Sequence, residues 1–190
     1  MNRPAGFATD GGWLRWLAGR GLLAGLALML ALNLFVVVRH WSQIREAVTT
    51  PPGTFAPDFT LPLVGGEQLH LAEARGEPVV LAFWATWCGP CKMELPHLDR
   101  LYHQYRDRVH FYAVNIEDAQ AEPTVAAFIK TTGLTIPVAF GGEAVANQYR
   151  VDSIPHLVIL DRTGKVNRVF DGLHGEREMA GAIEAALESR

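Results

Sequence analysis

The chain has 190 residues, 49% of them hydrophobic and 19% charged, with a formal net charge of −3 and only two cysteines. That length holds one domain of ordinary size plus an appendage. The charge is split, +3 over residues 1–50 and −6 over residues 51–190. An acidic globular part without a Lys/Arg stripe argues against nucleic acid as a partner.

The appendage is the N-terminus, where Gly21 to Val38 is an uncharged run of 18 residues broken only by Asn33. As a helix it spans about 27 Å, close to the roughly 30 Å of a bilayer core, so one transmembrane helix is expected. A cleaved signal peptide would have a shorter apolar core followed by a small-x-small site, and Leu34-Phe35-Val36-Val37-Val38-Arg39-His40-Trp41 offers none. Trp41 suits the far interface, and Arg3, Arg15 and Arg20 outnumber Arg39 and Arg45, which favours an N-terminus inside and the remainder outside. The expected organisation is a short cytoplasmic segment over residues 1–20, an anchor over 21–38, a linker over 39–53 and a globular domain over 54–190. The linker holds Thr49-Thr50-Pro51-Pro52-Gly53, semi-extended where proline is dense.

Phe59 to Leu63 and Gln68 to Leu71, separated by Gly65-Gly66, read as a hairpin that opens the domain. Val79 to Trp84 has no polar alternation, as expected of a strand covered on both faces. From Cys88 to about Tyr105 the pattern is helical, with Leu98, Leu101, Tyr102 and Tyr105 on one face and Pro96 expected to kink it. Val109 to Asn115 is the next strand, and Val125, Phe128 and Ile129 mark a helix ending near Gly133. Pro137 to Phe140 reads as a short strand and Glu143 to Tyr149 as a short helix. Leu157 to Leu160 and Lys165 to Phe170 form a second hairpin about Asp161-Arg162-Thr163-Gly164. A last helix, Glu176 to Glu188, is expected to bury Met179, Ile183, Ala186 and Leu187. Together these elements give an α/β fold, a central mixed β-sheet with helices on both faces.

The chemistry is concentrated in Trp87-Cys88-Gly89-Pro90-Cys91, which holds both cysteines and joins an apolar strand to the start of a helix. The thiolate is the nucleophile of thiol–disulfide exchange, and the unpaired N–H groups and positive dipole end of a helix N-terminus stabilise that anion at Cys88. Two intervening residues let Cys91 reach back and resolve the mixed disulfide, so Cys88 is the expected exposed attacker and Cys91 the shielded resolver. Structural zinc needs four ligands, but there is no second cysteine pair and neither His97 nor His103 completes a zinc-finger spacing. A purely structural disulfide is disfavoured, since closing so short a loop removes little chain entropy. Copper(I) handling by the two thiolates without catalytic turnover is the alternative reading. A redox-inactive docking domain is disfavoured, because both the nucleophile and its resolving partner are present.

Six segments resemble the thioredoxin superfamily, and within it the membrane-anchored TlpA/ResA/CcmG-like branch. They are Ala56-Pro57-Asp58-Phe59, Phe83-Trp84-Ala85-Thr86-Trp87-Cys88-Gly89-Pro90-Cys91, Glu94 with Pro96, Tyr149-Arg150-Val151, Ile154-Pro155 and Leu160-Asp161-Arg162-Thr163-Gly164. The resemblance covers about Thr54 to Glu188 and implies a thioredoxin-like fold with a cis bond at Ile154-Pro155, beside the disulfide. It implies that the backbone of Ile154 pairs with an extended substrate segment, and Trp87, Gly89, Pro90, Ile154 and Pro155 are the expected substrate-binding residues. Glu94 matches the acid that this branch carries after its C-x-x-C, there to move protons on and off Cys91. The bland alternative is a glutamate that merely favours the first turns of a helix, and burial separates the two. No metal and no cofactor beyond the redox-active Cys88–Cys91 disulfide are expected.

Two departures from the pattern carry information. Ala82 stands where classical thioredoxins hold a buried aspartate, which leaves any carboxylate role to Glu94 or to water. His156 follows the proline where a small hydroxyl residue is commoner, so a titratable ring there is a candidate to tune the thiolate or contact the partner, the bland and commoner alternative being a plain strand residue. Gly89-Pro90 supplies neither charge nor imidazole, so Cys88 is expected to have a pKa nearer thioredoxin's, about 7, than DsbA's, about 3.5. That favours a reductant. The resemblance implies a bacterial inner-membrane protein with its catalytic domain in the periplasm or on the outer face. It also implies a membrane thiol transporter of the DsbD or CcdA kind as electron donor, and disulfide-bearing substrates such as apocytochrome c or metal-delivery proteins.

Overall fold

The computed structural model describes residues 28–36 and 51–189. Residues 28–36, taken by themselves, are helical and expose Leu28, Met29, Leu30, Leu32, Leu34 and Phe35. They are part of the expected 21–38 anchor; the rest of that run, the expected segment over 1–20, and residues 39–50 of the expected 39–53 linker lie outside the described residues. Among the described residues, no helix is long and apolar enough to cross a membrane.

In chain order the strands are Thr60–Pro62 (β1), Gln68–His70 (β2), Val79–Trp84 (β3), His110–Asn115 (β4), Val138–Phe140 (β5), His156–Leu160 (β6) and Val166–Asp171 (β7). The helices are Gly89–Tyr105 (α1), Glu122–Thr132 (α2), Gly142–Gln148 (α3) and Glu176–Glu188 (α4). β1 and β2 form the expected hairpin, turned by Gly65 and Gly66 at φ 119° and 96°, values open to residues without a Cβ. Its strands are three residues each, shorter than the apolar pattern suggests.

The other five strands make one mixed sheet in the order β5-β4-β3-β6-β7. β3 runs parallel to β4 and antiparallel to β6, and all six of its residues are buried. Alternation along β3 divides the core. Val80, Ala82 and Trp84 pack with Leu95, Leu98 and Leu101 of α1, Val125 of α2, and Met179, Ile183 and Ala186 of α4. Leu81 and Phe83 turn to the opposite face and meet Leu61 and Leu69 of the hairpin, Val145 of α3, and Tyr149. Two-sided cover explains why β3 reads as an unbroken apolar run.

Several boundaries differ from the sequence pattern. β6 begins at His156, one residue before the expected Leu157. α1 spans Gly89 to Tyr105 with Pro96 inside it. Leu187, expected in the core, is only partly buried, packed against the core from the last turn of α4. α2 stops at Gly133, whose φ of 69° is the left-handed conformation that ends helices. The Tyr149 hydroxyl donates to the Pro57 carbonyl at 2.7 Å, joining two of the segments that carried the resemblance.

A long-range tie holds α1 in place. Asp99 Oδ1 accepts from Thr135 N–H at 2.8 Å, from Thr135 Oγ1 at 3.0 Å and from Ile136 N–H at 2.7 Å, so one carboxylate fastens α1 to the segment leading into β5. Hydrogen bonds to a charged group each contribute about 1.5–3 kcal/mol. Asp99 is only partly buried, so water replaces much of the lost pairing, and Asp99→Ala is expected to lower unfolding stability by about 1–3 kcal/mol, read as a fall in the urea midpoint at constant slope. An unchanged midpoint would contradict the tie.

Candidate active site

The register aims the reactive segment. The C-terminal ends of β3 and β4 meet the N-terminal end of β6, with Trp84 opposite Asn115 and Phe83 opposite His156. The chain leaves β3 at Trp84, turns through Thr86, and places Cys88 at the N-cap of α1 with Pro90 in the first turn. That is the position where proline is tolerated and where an acceptor is wanted. Cys88 and Cys91 are joined as a disulfide. The Cys91 N–H donates to Cys88 Sγ at 3.1 Å, and the same sulfur lies 3.7 Å from the carbonyl oxygen of Ile154. Ile154-Pro155 is a cis bond, as the resemblance implied.

Trp87 is 68% exposed, and Gly89 and Pro90 are also exposed, so three of the expected substrate-binding residues form the surface around the disulfide. Pro155 is buried and Ile154 partly so. The expected contrast between an exposed Cys88 and a shielded Cys91 is small in this oxidised state: the two are 4% and 1% exposed. The difference between them lies in position, since Cys88 sits at the helix end against Ile154.

Glu94 is 2% exposed and one helical turn beyond Cys91, on the same face. Burial pushes its carboxyl above the usual range, against the lowering influence of the His174 amide and ring. A glutamate that merely favours a helix start would be solvated, and Glu94 is not. Ala82 is buried among apolar side chains and provides no second acid.

Two acidic partners were not visible in the sequence. Glu117 accepts from Thr86 N–H at 2.5 Å, Thr86 Oγ1 at 2.8 Å and Asn115 Nδ2 at 3.0 Å, clamping the turn that delivers Trp87 and Cys88. Burial alone would raise its carboxyl, but the Asn115 and Thr86 hydrogen bonds and the Lys92 charge outweigh it and hold Glu117 ionised. Its sequence signal is slight: an acid just past the carboxyl end of a strand, the edge where α/β sheets place their sites. The other is Asp171, whose Oδ1 lies 2.6 Å from His156 Nδ1.

His156 does not stand beside the sulfur. Leu157 packs in the cluster that contains both cysteines, and strand alternation turns His156 to the other face, with its ring centroid 5.9 Å from that of Phe83. Its Nε2 is buried with no hydrogen-bond partner among the described residues, which suits a neutral ring whose one proton is on Nδ1 and donated to Asp171. Burial pushes this imidazole below its ordinary value, against the attraction of Asp171. Of the two readings of His156, the structure fits the strand residue, a buried neutral ring on the face of the sheet opposite Leu157, rather than a ring tuning the thiolate by contact.

Residues 52–169 match the AhpC/TSA family. The chain belongs to that family. It is 34% identical over 158 residues to the thioredoxin-like protein YneN of Bacillus subtilis, covering 83% of this chain and 93% of that one. It is 32% identical over 162 residues to the thiol-disulfide oxidoreductase ResA of Geobacillus thermodenitrificans, covering 84% and 91%. Among solved structures, a Chlorobium tepidum protein assigned as thiol:disulfide interchange protein DsbE superposes with a TM-score of 0.68 at 29% identity, covering 73% of this chain and 99% of that one. StoA from Bacillus subtilis does so at 0.58 and 27%, covering 66% and 96%. With the Cys88–Cys91 pair at the helix start, this AhpC/TSA-family protein is a thioredoxin-like thiol:disulfide oxidoreductase of the ResA and DsbE type, acting on disulfide-bearing proteins.

The state of His156 has a consequence for stability. Its folded proton affinity lies below the unfolded value, so the unfolded chain takes up the proton first as pH falls. The contribution is present above the unfolded imidazole value of about 6.5 and is lost as pH falls below it. Between pH 8 and pH 5, the denaturant midpoint of the wild type should fall more than that of His156→Gln. Parallel curves would show that the ring is not held neutral.

Proposed function

We propose that this protein is a membrane-tethered reductase of protein disulfides, with its catalytic domain in the periplasm or on the outer face of a bacterial inner membrane. The observation that carries the direction is the setting of Cys88 Sγ. It receives the Cys91 amide at 3.1 Å, its neighbours Gly89 and Pro90 bring no charge, and His156 is neutral and turned to the other face. Stabilisation by a helix end alone is modest, which supports a thiolate nearer thioredoxin's than DsbA's and hence a reducing dithiol.

In the reduced protein the Cys88 thiolate attacks one sulfur of the substrate disulfide, and the first substrate thiolate leaves. Cys91 passes its proton to the Glu94 carboxylate and attacks Cys88 Sγ. The second substrate thiolate leaves, and the two substrate thiolates take up two protons, one returned through Glu94 and one from solvent, so two electrons have passed to the substrate and the Cys88–Cys91 disulfide remains. A carboxyl raised toward the working pH is suited to this exchange, since acid–base efficiency is greatest when the two match. The exposed surface of Trp87, Gly89 and Pro90, with the backbone at Ile154 and Pro155, receives the substrate segment.

Substrates of this reading are apocytochrome c, whose heme-attachment cysteines must be reduced, or metal-delivery proteins. A membrane thiol transporter of the DsbD or CcdA kind returns the electrons, because the periplasm is kept oxidising. The uncharged run Gly21 to Val38 supports the tether. Insulin reduction should turn over with the wild type and stop in Cys88→Ser. Cys91→Ala should accumulate a mixed disulfide at Cys88 in the membrane fraction. Tight copper(I) binding without turnover would support the metal-handling alternative instead, and an adduct found only in soluble fractions would reject the tether.

A further inference from the structure

The loop between β7 and α4 is fastened to the active site at two points. Gly172 N–H donates to the Pro155 carbonyl at 2.8 Å, and His174 N–H donates to Glu94 Oε1 at 3.0 Å, a contact across 80 residues of chain. The His174 ring is held in turn: Nδ1 lies 2.9 Å from Glu178 Oε2, Nε2 lies 3.2 Å from the Asp171 carbonyl oxygen, and the ring centroid is 4.8 Å from that of Phe170. A neutral imidazole has one N–H, whereas a carboxylate and a carbonyl at its two nitrogens call for two. The contacts therefore favour the imidazolium, the reverse of His156 on the other side of the same loop.

We infer that His174 is a positioning residue of the exchange reaction: its amide fixes the Glu94 carboxyl and its cationic ring keeps that buried group able to accept the Cys91 proton. This rests on the reading of Glu94 as the proton acceptor of Cys91. Burial by itself favours a neutral Glu94, and a neutral acid cannot take a proton. Burial also works against the His174 cation, but the Glu178 hydrogen bond, the Asp171 carbonyl and the charges of Glu178 and Glu94 prevail and raise it above its ordinary value. Other charged groups around the pair are engaged elsewhere. Asp171 meets His156, Glu176 of α4 meets Arg100 at 2.6 Å and His97 at 3.8 Å, and Arg168 lies beyond the Phe170 ring, 5.4 Å from its centroid.

The test is the pH profile of substrate-disulfide reduction by the full-length protein, as wild type, Glu94→Gln, His174→Gln and the double variant. His174→Gln keeps the backbone amide and a side-chain donor but removes the charge. It should move the acid limb of the profile to higher pH, and the same substitution in the Glu94→Gln background should move nothing. A limb that stays in place in His174→Gln, or a shift that persists without Glu94, would overturn the inference. Should Glu94→Gln alone leave the profile unchanged, the proton-acceptor reading itself fails, and that arm contains no change at His174.

Discussion

One sulfur at the start of one helix organises the molecule. Cys88 can serve as the N-cap of α1 only because β3, buried along its whole length, ends at a fixed place in the sheet and directs the chain into that helix. A slip of one residue in β3 would exchange its two faces, moving Leu81 and Phe83 into the helix-covered core and Ala82 and Trp84 out of it. Thr86, clamped by Glu117, fixes the turn between strand and helix. The Cys91 amide then has one place to point, and it points at Cys88 Sγ.

Around that sulfur the protein sets like groups in opposite states through their surroundings. Glu117 has three donors and is held ionised, whereas Glu94 is buried with a backbone amide and is raised. His174 has an acceptor at each nitrogen, whereas His156 has one, and their proton affinities part in opposite directions. The loop from Asp171 to His174 touches all three of His156, Pro155 and Glu94. It thereby joins the two faces of the sheet at the edge where exchange takes place.

Much of this was legible in the chain. β3, β4, α1 and α4 follow from local periodicity, and C-x-x-C at a helix start carries its own chemistry. Glu94 was recognisable from its place after Cys91. What escaped were contacts between segments far apart: Glu117 with Thr86 across 31 residues, and His174 with Glu94 across 80. No local period encodes these. For His156 the sequence leaves a tuning ring and an ordinary strand residue both open, because nearness to Pro155 along the chain does not say which face of the strand a side chain takes.

The central claim is that a helix end without an added cation makes Cys88 the nucleophile of a reductant. Equilibration of the Cys88–Cys91 couple against glutathione measures this directly. The account predicts a potential nearer thioredoxin's roughly −270 mV than DsbA's roughly −120 mV. A value near −120 mV would contradict it, for it would require a stabilisation of the reduced form well beyond that of the Cys91 amide and the helix end.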